Sequence, residues 1–462
     1  MKTKSMIAGM FSMLLLAVGC SKEEKSGPNV PGEGVKTYAS FSVALDAATT
    51  RALLGDANSA PEEIKIKTVN IYVFMGGVLE DTGAITLNDN NEGTTALATT
   101  TGPKTIYAVI NKSVTGVVGQ TQEDFEQKVI QTFSEGKSTI SVADNFLMVG
   151  STQATLSEQT EEVAKQKQNL IPITVQRATA KVQMRYKENV PVKPVVNVSV
   201  DTARYTVAQQ NTEMYLARKG FSFTPAGEKE AQKDVNKDGT YDHLVALPTA
   251  EQLEQSNSWL GAGKDYDNLF ANSCYLAENV NEAPVTGNTS YVLVELTVKP
   301  TQTSDAAGNA ITPTEPNDGS FWVIADHDLL NGDITFLTKE DKILYFASEE
   351  YASGYLKDQA NLGEEHNYKV LKYTAGKSYY RLNIRDIKQR TLTEEYAVLR
   401  NHYYKVNITE ISNLGFNDPA GTVPTEPTTP LETQTYISAE ITIEPWTSRW
   451  ANKKCHAEKG SI

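Results

Sequence analysis

The stretch that decides the fold is Tyr38-Ala39-Ser40-Phe41-Ser42-Val43-Ala44-Leu45. Large apolar residues alternate with small or polar ones along it, so that Phe41, Val43 and Leu45 fall on one face. A period of two residues is typical of a strand, because successive side chains of a strand point to opposite sides of the sheet. The stretch therefore predicts a first strand with one face against a core.

The strand signal recurs along the rest of the chain. Residues 105–111 form a short continuous apolar run, which is typical of a central strand covered on both faces. Residues 170–186 alternate again, and the second half carries further short stretches rich in Val, Ile, Thr and Tyr between polar loops. Many short strands with few helices predict a mainly β protein of two β-sandwiches in tandem.

One helix is expected near Thr121, a residue type that caps helix N-termini. Phe125, Val129 and Phe133 follow it at helical spacing, which predicts a helix through that segment.

The N-terminal segment is predicted to be a lipoprotein signal peptide. Lys2 and Lys4 precede an apolar run that is too short to cross a bilayer of ~30 Å as a helix. The layout is that of a secretory signal, and Leu16-Ala17-Val18-Gly19-Cys20 has the form of a lipobox. Cys20 would then be the acylated (palmitate-bearing) first residue of the mature protein. The alternative is a plain secretory signal that ends near a cysteine.

Composition and motifs argue against several classes of function. The 462 residues include 43 Lys and Arg against 57 Asp and Glu, a net charge of −14, which opposes binding to phosphate backbones and makes nucleic acid a poor partner. Nucleophile-elbow, zinc-protease and phosphate-loop motifs are absent from the sequence. The three cysteines have no metal-ligand spacing, and a Cys274–Cys455 disulfide stays open. The sequence predicts no enzyme, no catalytic residue and no required cofactor.

One loop has the composition of a Ca²⁺ site. The stretch from Asp234 follows the pattern D-x-N-x-D-G-x-x-D, with oxygen ligands at alternate positions and a glycine for the sharp turn. Position 12 is Val245 instead of the bidentate Glu of an EF-hand, so any ion would be structural. The alternative is a polar turn without an ion. The predicted ligands are Asp234, Asn236, Asp238, Thr240 and Asp242.

Several further segments follow the first strand and the lipobox in a distinctive order. They are Thr50-Arg51-Ala52, residues 104–111, Met148-Val149-Gly150, Arg177-Ala178-Thr179-Ala180-Lys181-Val182, residues 377–384, residues 399–406 and Ile441-Thr442-Ile443-Glu444-Pro445-Trp446. Taken in order, these segments resemble the fimbrillins, the shaft subunits of Bacteroidota type V pili, and are more similar to the minor-fimbrium type. The resemblance covers nearly the whole chain.

The resemblance implies two tandem transthyretin-like β-sandwiches and assembly by donor-strand exchange. An Arg-specific protease would cut the Arg51–Ala52 bond, and the strand carrying Phe41, Val43 and Leu45 would be displaced. The implied location is a cell-surface fimbrium, reached as an outer-membrane lipoprotein precursor. The implied partners are other copies of the chain, other fimbrial subunits, the outer membrane through the lipid, and a host protein or glycan bound in adhesion.

The resulting domain prediction has four parts. They are a signal peptide (residues 1–19), a propeptide with a tether and the first strand (20–51), an N-terminal β-sandwich (52–192) and a C-terminal β-sandwich with a donor strand (193–462).

The C-terminus departs from the family pattern. Residues 447–462 contain several Lys and Arg residues instead of an apolar alternation, so either residues 437–450 act as the donor or the chain is an accessory or terminal subunit.

A different class of function is a non-polymerising surface lipoprotein, either a pilus anchor or a module that binds glycans or host ligands. The tryptophans Trp259, Trp322, Trp446 and Trp450 could stack on sugars, although core packing within strands is the stronger explanation for Trp322 and Trp446.

Overall fold

The computed structural model describes residues 34–45, 58–134, 137–186, 189–217, 221, 224–225, 244, 247, 266, 270–311, 318–328, 333–358, 367–423, 428, 430–431 and 436–446. Strands dominate these ranges, which confirms the mainly β class. No helix within them is long and apolar enough to span a membrane.

The strands are numbered in chain order. Those before residue 190 are β1 (Lys36–Leu45), β2 (Val69–Met75), β3 (Val78–Ile85), β4 (Leu97–Thr100), β5 (Gly102–Ile110), β6 (Val129–Gln131), β7 (Phe133–Ser134), β8 (Lys137–Ser138), β9 (Ser141–Val142), β10 (Asn145–Phe146), β11 (Met148–Leu156), β12 (Leu170–Arg177) and β13 (Ala180–Tyr186). Those after it are β14 (Val198–Ala208), β15 (Glu213–Tyr215), β16 (Cys274–Leu276), β17 (Tyr291–Pro300), β18 (Thr303–Ser304), β19 (Ala310–Ile311), β20 (Phe321–Asp328), β21 (Asp333–Phe336), β22 (Thr338–Lys339), β23 (Lys342–Ile343), β24 (Tyr345–Phe346), β25 (Tyr368–Tyr373), β26 (Lys377–Asn383), β27 (His402–Ile411) and β28 (Ile437–Pro445).

The helices in the described ranges are short. The α-helices are α1 (Gln122–Glu126), α2 (Glu161–Lys165), α3 (Glu349–Asp358) and α4 (Leu392–Glu395). The 3₁₀ turns are Pro61–Glu63, Phe270–Asn272, Thr374–Gly376 and Pro419–Thr422.

The first half of the chain forms a seven-stranded sheet in the order β3-β2-β5-β11-β12-β1-β4. Every pair in it is antiparallel except β1 with β12, which is parallel. The two edge strands approach each other, since a Cβ on Gly83 of β3 would lie 2.5 Å from Leu97 of β4. The sheet is therefore strongly curled around its inner core.

The central strand of this sheet agrees with the sequence. Residues 106–110 of β5 are all buried, with at most 4% exposure at Tyr107, which confirms the prediction of a strand covered on both faces. One face meets the cluster that contains Ile71 and Phe41, and the other meets the aromatic cluster around Phe125.

The second half is built from three main sheets. A four-stranded sheet (β16-β13-β27-β28) and a three-stranded sheet (β14-β17-β26) enclose a large shared core, and a further sheet contains β19-β18-β24-β20-β21 with β25 paired to β20. The chain passes from the first sheet to the four-stranded sheet between β12 and β13, at Ala178-Thr179. The division at residues 192 and 193 stays a prediction.

The helix predicted near Thr121 is shorter than expected. The Thr121 hydroxyl does cap it, accepting a hydrogen bond of 3.0 Å from the Asp124 N–H, but α1 ends at Glu126. The prediction was wrong for Val129 and Phe133, which lie in strands β6 and β7. Strand β6 pairs with β15 more than eighty residues later, and that long-range pairing overrides the local spacing.

Candidate functional site

The first strand occupies an interior position in the seven-stranded sheet. Along one edge it pairs in parallel with β12, from Ser40 beside Leu170 to Leu45 beside Val175. Along the other edge its first four residues pair with β4. If β1 left, the sheet would lose a strand from its interior, and β4 would lose the only strand to which it is hydrogen-bonded among the described residues.

The inward side chains of β1 are part of the core. Phe41 is fully buried and Val43 is 3% exposed, which confirms the inward face predicted for them. Leu45 is only half-buried but packs against the same cluster. Ala39 is a further, fully buried member that the sequence analysis did not single out. The cluster also contains the side chains of Val69, Ile71, Val73, Ile106, Ile110, Met148, Ile171, Ile173 and Val175.

Polar contacts hold the start of β1. The Asn169 side-chain amide donates to the Tyr38 and Ser157 carbonyls, at 3.0 Å each. The Thr37 hydroxyl donates to the Ser157 carbonyl at 2.7 Å and accepts from the Gln159 N–H at 2.9 Å. These bonds fix the register of the strand before its apolar residues begin.

A loop continues the second edge of β1 beyond β4. The Gly93 N–H donates to the Phe41 carbonyl at 2.6 Å, and the Val43 N–H donates to the Asn91 carbonyl at 2.9 Å. A Cβ on Gly93 would lie 3.0 Å from the Phe41 carbonyl oxygen, so a small residue is needed here. We call the site formed by residues 170–175 of β12, strand β4 and residues 91–93 the β1 groove.

The β1 groove has the chemistry of a strand-binding site. Its two walls supply backbone donors and acceptors, and its floor is apolar. An emptied groove would expose unpaired strand edges, which bind other strands readily. Each apolar side chain of this size that leaves a core costs roughly 1.5–3 kcal/mol. A strand from another chain could restore both the backbone hydrogen bonds and the apolar burial by β-augmentation.

A buried cluster of polar and aromatic side chains includes Glu63, which lies in the first described segment after β1. We call it the junction cluster; its members are Glu63, Arg177, Lys181, Tyr275 and Trp446. The Lys181 ammonium lies 2.9 Å from the Glu63 carboxylate, and both side chains are fully buried. Tyr275 donates to the same carboxylate at 2.5 Å, and burial together with the Glu63 charge raises the pKa of Tyr275 well above its usual value.

Arg177 joins the first described residues after β1 to Trp446, the last described residue. Its guanidinium donates to the Ser59 hydroxyl at 2.7 Å, the Glu63 carbonyl at 2.9 Å and the Trp446 carbonyl at 3.1 Å. It also lies 4.3 Å from the centre of the Trp446 ring. Burial lowers the pKa of Arg177 to about 10, and the Glu63 charge partly offsets that shift. Residues 58–63 and 445–446 are thereby held at one place.

Arg177, Lys181 and Trp446 stand in motifs that the sequence singles out, but a role was predicted for Trp446 alone, and Glu63 and Tyr275 were not predicted. Trp446 is fully buried in the junction cluster, as core packing predicted. Trp322 is half-buried against the third sheet, with the Lys372 ammonium 5.5 Å above its ring. Trp259 and Trp450 lie outside the described residues. The structure therefore offers no aromatic platform built from Trp322 and Trp446.

The other predicted site residues lie outside the described ranges. They are Cys20, Arg51, Ala52 and the five predicted Ca²⁺ ligands Asp234, Asn236, Asp238, Thr240 and Asp242. Within the described ranges, no three His, Cys, Asp or Glu side chains are grouped to hold a metal ion. Of residues 437–450, the alternative donor, residues 437–445 form β28 and pair with β27 along their whole length, and residues 447–450 lie outside the described ranges.

Two family models match the chain, and both describe fimbrial subunits. Residues 39–193 match the family model of the major fimbrial subunit protein (FimA), and residues 371–452 match that of the major fimbrial subunit protein type IV, fimbrillin, C-terminal. A search of curated protein sequences gave no match.

Solved structures were also compared. The chain is similar to a fimbrilin (FimA) from Porphyromonas gingivalis W83, with 14% identity, a TM-score of 0.46 and coverage of 89% of this chain and 98% of that one. It is similar to the tip fimbrial protein Mfa3 from P. gingivalis, with 12% identity, a TM-score of 0.37 and coverage of 89% and 100%. A fimbrial assembly protein from Parabacteroides distasonis has 10% identity, a TM-score of 0.34 and coverage of 89% and 100%.

One family model matches a segment that contains most of β1 and all of its groove, and the other matches a segment that contains β26, β27 and β28. The chain belongs to the fimbrillin family and is a structural subunit of a cell-surface fimbria.

Proposed function

We propose that this fimbrial subunit is exported as a lipoprotein acylated at Cys20, is cut at the Arg51–Ala52 bond, and then polymerises by exchanging β1 for a strand of a neighbouring subunit. The alternatives are an anchor subunit that keeps β1 and its lipid, and a non-polymerising binder of glycans or host ligands.

The observation that carries the proposal is the position of β1. It lies inside the sheet, between β12 and β4, and the next residues along the chain contain Arg51. A cut there would leave β1 attached to the rest of the subunit by non-covalent contacts alone. A departing edge strand would uncover one strand edge, whereas β1 would uncover two facing edges with an apolar floor between them.

The junction cluster supports the same proposal. Residues 58–63, which follow the cut in sequence, are tied to the body by Arg177 and by the Lys181–Glu63 ion pair. Lys181 also donates to the Asn58 carbonyl at 3.1 Å. The new N-terminal segment would therefore stay in place while β1 leaves, and the groove would keep its shape for the incoming strand.

The proposal is tested on protein sheared from the surface of cells that express the wild-type chain, an Arg51→Ala variant or an Arg390→Ala variant. Arg390 is exposed and lies far from β1 in sequence, so it serves as the matched control. We expect the wild type and Arg390→Ala to begin at Ala52 and to form SDS-resistant ladders, and Arg51→Ala to form none.

The result that would overturn the proposal is a wild-type protein that begins at acylated Cys20, stays with the membrane, and behaves identically to Arg51→Ala. That result would favour the anchor or the monomeric binder.

A further inference from the structure

The inward positions of β1 have a definite order of sizes. Ala39 and Phe41 are fully buried, and Val43 is 3% exposed. All three contact one apolar cluster whose other members belong to neighbouring strands. Buried sites of this kind are close-packed, so each accepts a side chain near the size of the one it holds. The emptied groove would present a small, then a large aromatic, then a β-branched site.

One position on the opposite face adds a constraint. Ser40 is 1% exposed, and its hydroxyl is buried without a hydrogen-bond partner among the described residues. A small residue without a polar group would fill this site at least as well as serine. The next outward residues, Ser42 and Ala44, are half-buried and exposed, so they set no comparable limit.

The segment that follows β28 does not supply this order. Residues 447–462 read Thr-Ser-Arg-Trp-Ala-Asn-Lys-Lys-Cys-His-Ala-Glu-Lys-Gly-Ser-Ile. In every register, read in either direction, three successive alternate residues include an Arg, Lys, Asn or Glu. Burying such a group without a partner in an apolar site is strongly unfavourable.

Internal stretches with a similar order already belong to the folded sheets. Ala203, Tyr205 and Val207 give a small, an aromatic and a β-branched residue at alternate positions, but they lie in β14, which is paired with β17. Ala439, Ile441 and Ile443 give a small residue followed by two β-branched ones, but they lie in β28, which is paired with β27. Either strand could be donated only if its sheet lost an edge strand.

We propose that the β1 groove selects a donor strand with a small, an aromatic and a β-branched residue at successive inward positions, and that this donor comes from a different fimbrial subunit and not from residues 447–462 of another copy. This inference rests on the proposed function, because the groove must first be emptied. It makes the chain an acceptor within a mixed polymer.

The test uses the chain from Cys20 onward, clipped after Arg51 with an Arg-specific protease, separated from the β1 fragment in urea, refolded, and checked by mass for loss of that fragment. Synthetic peptides are added, and their dissociation constants are measured. The peptides carry the β1 sequence (residues 36–45), the same sequence with Ala39→Phe, the same with Phe41→Ala, and residues 447–462. We expect the β1 peptide to bind, the two variants to bind at least tenfold more weakly, and the tail peptide to bind at least a hundredfold more weakly.

The outcomes separate the two proposals. Tail-peptide binding within threefold of the β1 peptide would overturn the selectivity and leave strand exchange intact. Failure of every peptide to bind, the β1 peptide included, would overturn strand exchange itself.

The intact chain gives a second readout that needs no cleavage. Ala39→Phe should lower the melting temperature by about 5 °C or more, because overpacking a full core is destabilising. The same substitution at exposed Ala44 should leave it unchanged within about 1 °C. Equal melting temperatures for the two variants would overturn the size selection at the first inward site.

Discussion

At the scale of single residues, the ion pair between Lys181 and Glu63 stabilises the junction cluster. Both side chains are fully buried, and the carboxylate also accepts from Tyr275 and from the Ala60 N–H. Removing one charge of a buried pair leaves the other without compensation, which costs about 3–5 kcal/mol. We expect Glu63→Gln to lower the free energy of unfolding by that amount in urea titrations.

The matched control is Glu161→Gln. Glu161 also pairs with a lysine, Lys165 at 2.5 Å, but on an exposed helix surface. Such pairs contribute little because water and salt screen them, so this variant should unfold like the wild type. A Glu63→Gln variant as stable as Glu161→Gln would contradict the role assigned to the junction cluster.

Gly150 is required by a close approach of two strands. A Cβ on it would lie 2.0 Å from the Thr174 carbonyl oxygen of β12, and backbone atoms have little room to move. Gly150→Ala should therefore destabilise the protein by about 1–3 kcal/mol. The neighbouring exposed residue provides the control, since Ser151→Ala should be near neutral. Equal unfolding midpoints for the two variants would show that the strands can separate freely here.

These residues also show what sequence could not reveal. Arg177, Lys181, Gly150 and Trp446 all stand in segments that resemble the family, yet their roles depend on distant partners. Arg177 contacts Trp446 across 269 positions, and Gly150 faces Thr174 on another strand. Local patterns carry no information on such contacts, whereas the inward face of Phe41 and Val43 follows from a period of two alone.

At the scale of elements, the sequence predicted β1 and the β5 strand well. It could not predict that β1 pairs in parallel with β12 or lies inside the sheet, because several registers satisfy the same alternation. The helix after Thr121 failed for a related reason. The Thr121 cap depends on residues close in sequence, and it was confirmed. The pairing of β6 with β15 depends on residues far apart in sequence, so local spacing could not predict it.

The Ca²⁺ loop remains a proposal at this scale. Its flanks are held together, because Asn211 bridges to Leu244 and its side-chain amide donates to the Thr224 hydroxyl at 3.2 Å. A loop with fixed ends loses less entropy when it closes on an ion. We expect Ca²⁺ to raise the melting temperature of the wild type but not of Asp238→Asn, with Asp89→Asn as the exposed control. The Ca²⁺ proposal would be contradicted if calorimetry detected no Ca²⁺ binding and a chelator left the melting temperature unchanged.

At the scale of the whole molecule, buried tyrosines make stability depend on alkaline pH. Burial raises the pKa of eight of them: Tyr72, Tyr107, Tyr266, Tyr275, Tyr291, Tyr345, Tyr373 and Tyr380. For a raised pKa, the stabilisation is complete below the unfolded value of about 10 and is lost as the pH rises through the folded value. Arg177 and Arg381 act in the opposite direction, since burial lowers the pKa of each to about 10.

The tyrosines outnumber the two arginines, so the free energy of unfolding should fall steadily above pH 10. Tyrosine ionisation, followed by absorbance at 295 nm, should occur at higher pH in the native protein than in the unfolded chain. It should coincide with loss of the β-sheet circular dichroism signal. Ionisation of these tyrosines near pH 10 without unfolding would contradict their burial.

The central claim is that the assembled subunit no longer contains its own first strand. The most direct measurement is quantitative mass spectrometry of SDS-resistant polymer from the cell surface, comparing peptides from residues 36–45 with peptides from residues 137–186. We expect abundant peptides from residues 137–186 and no peptides from residues 36–45. Equal amounts of the two in the polymer would contradict it.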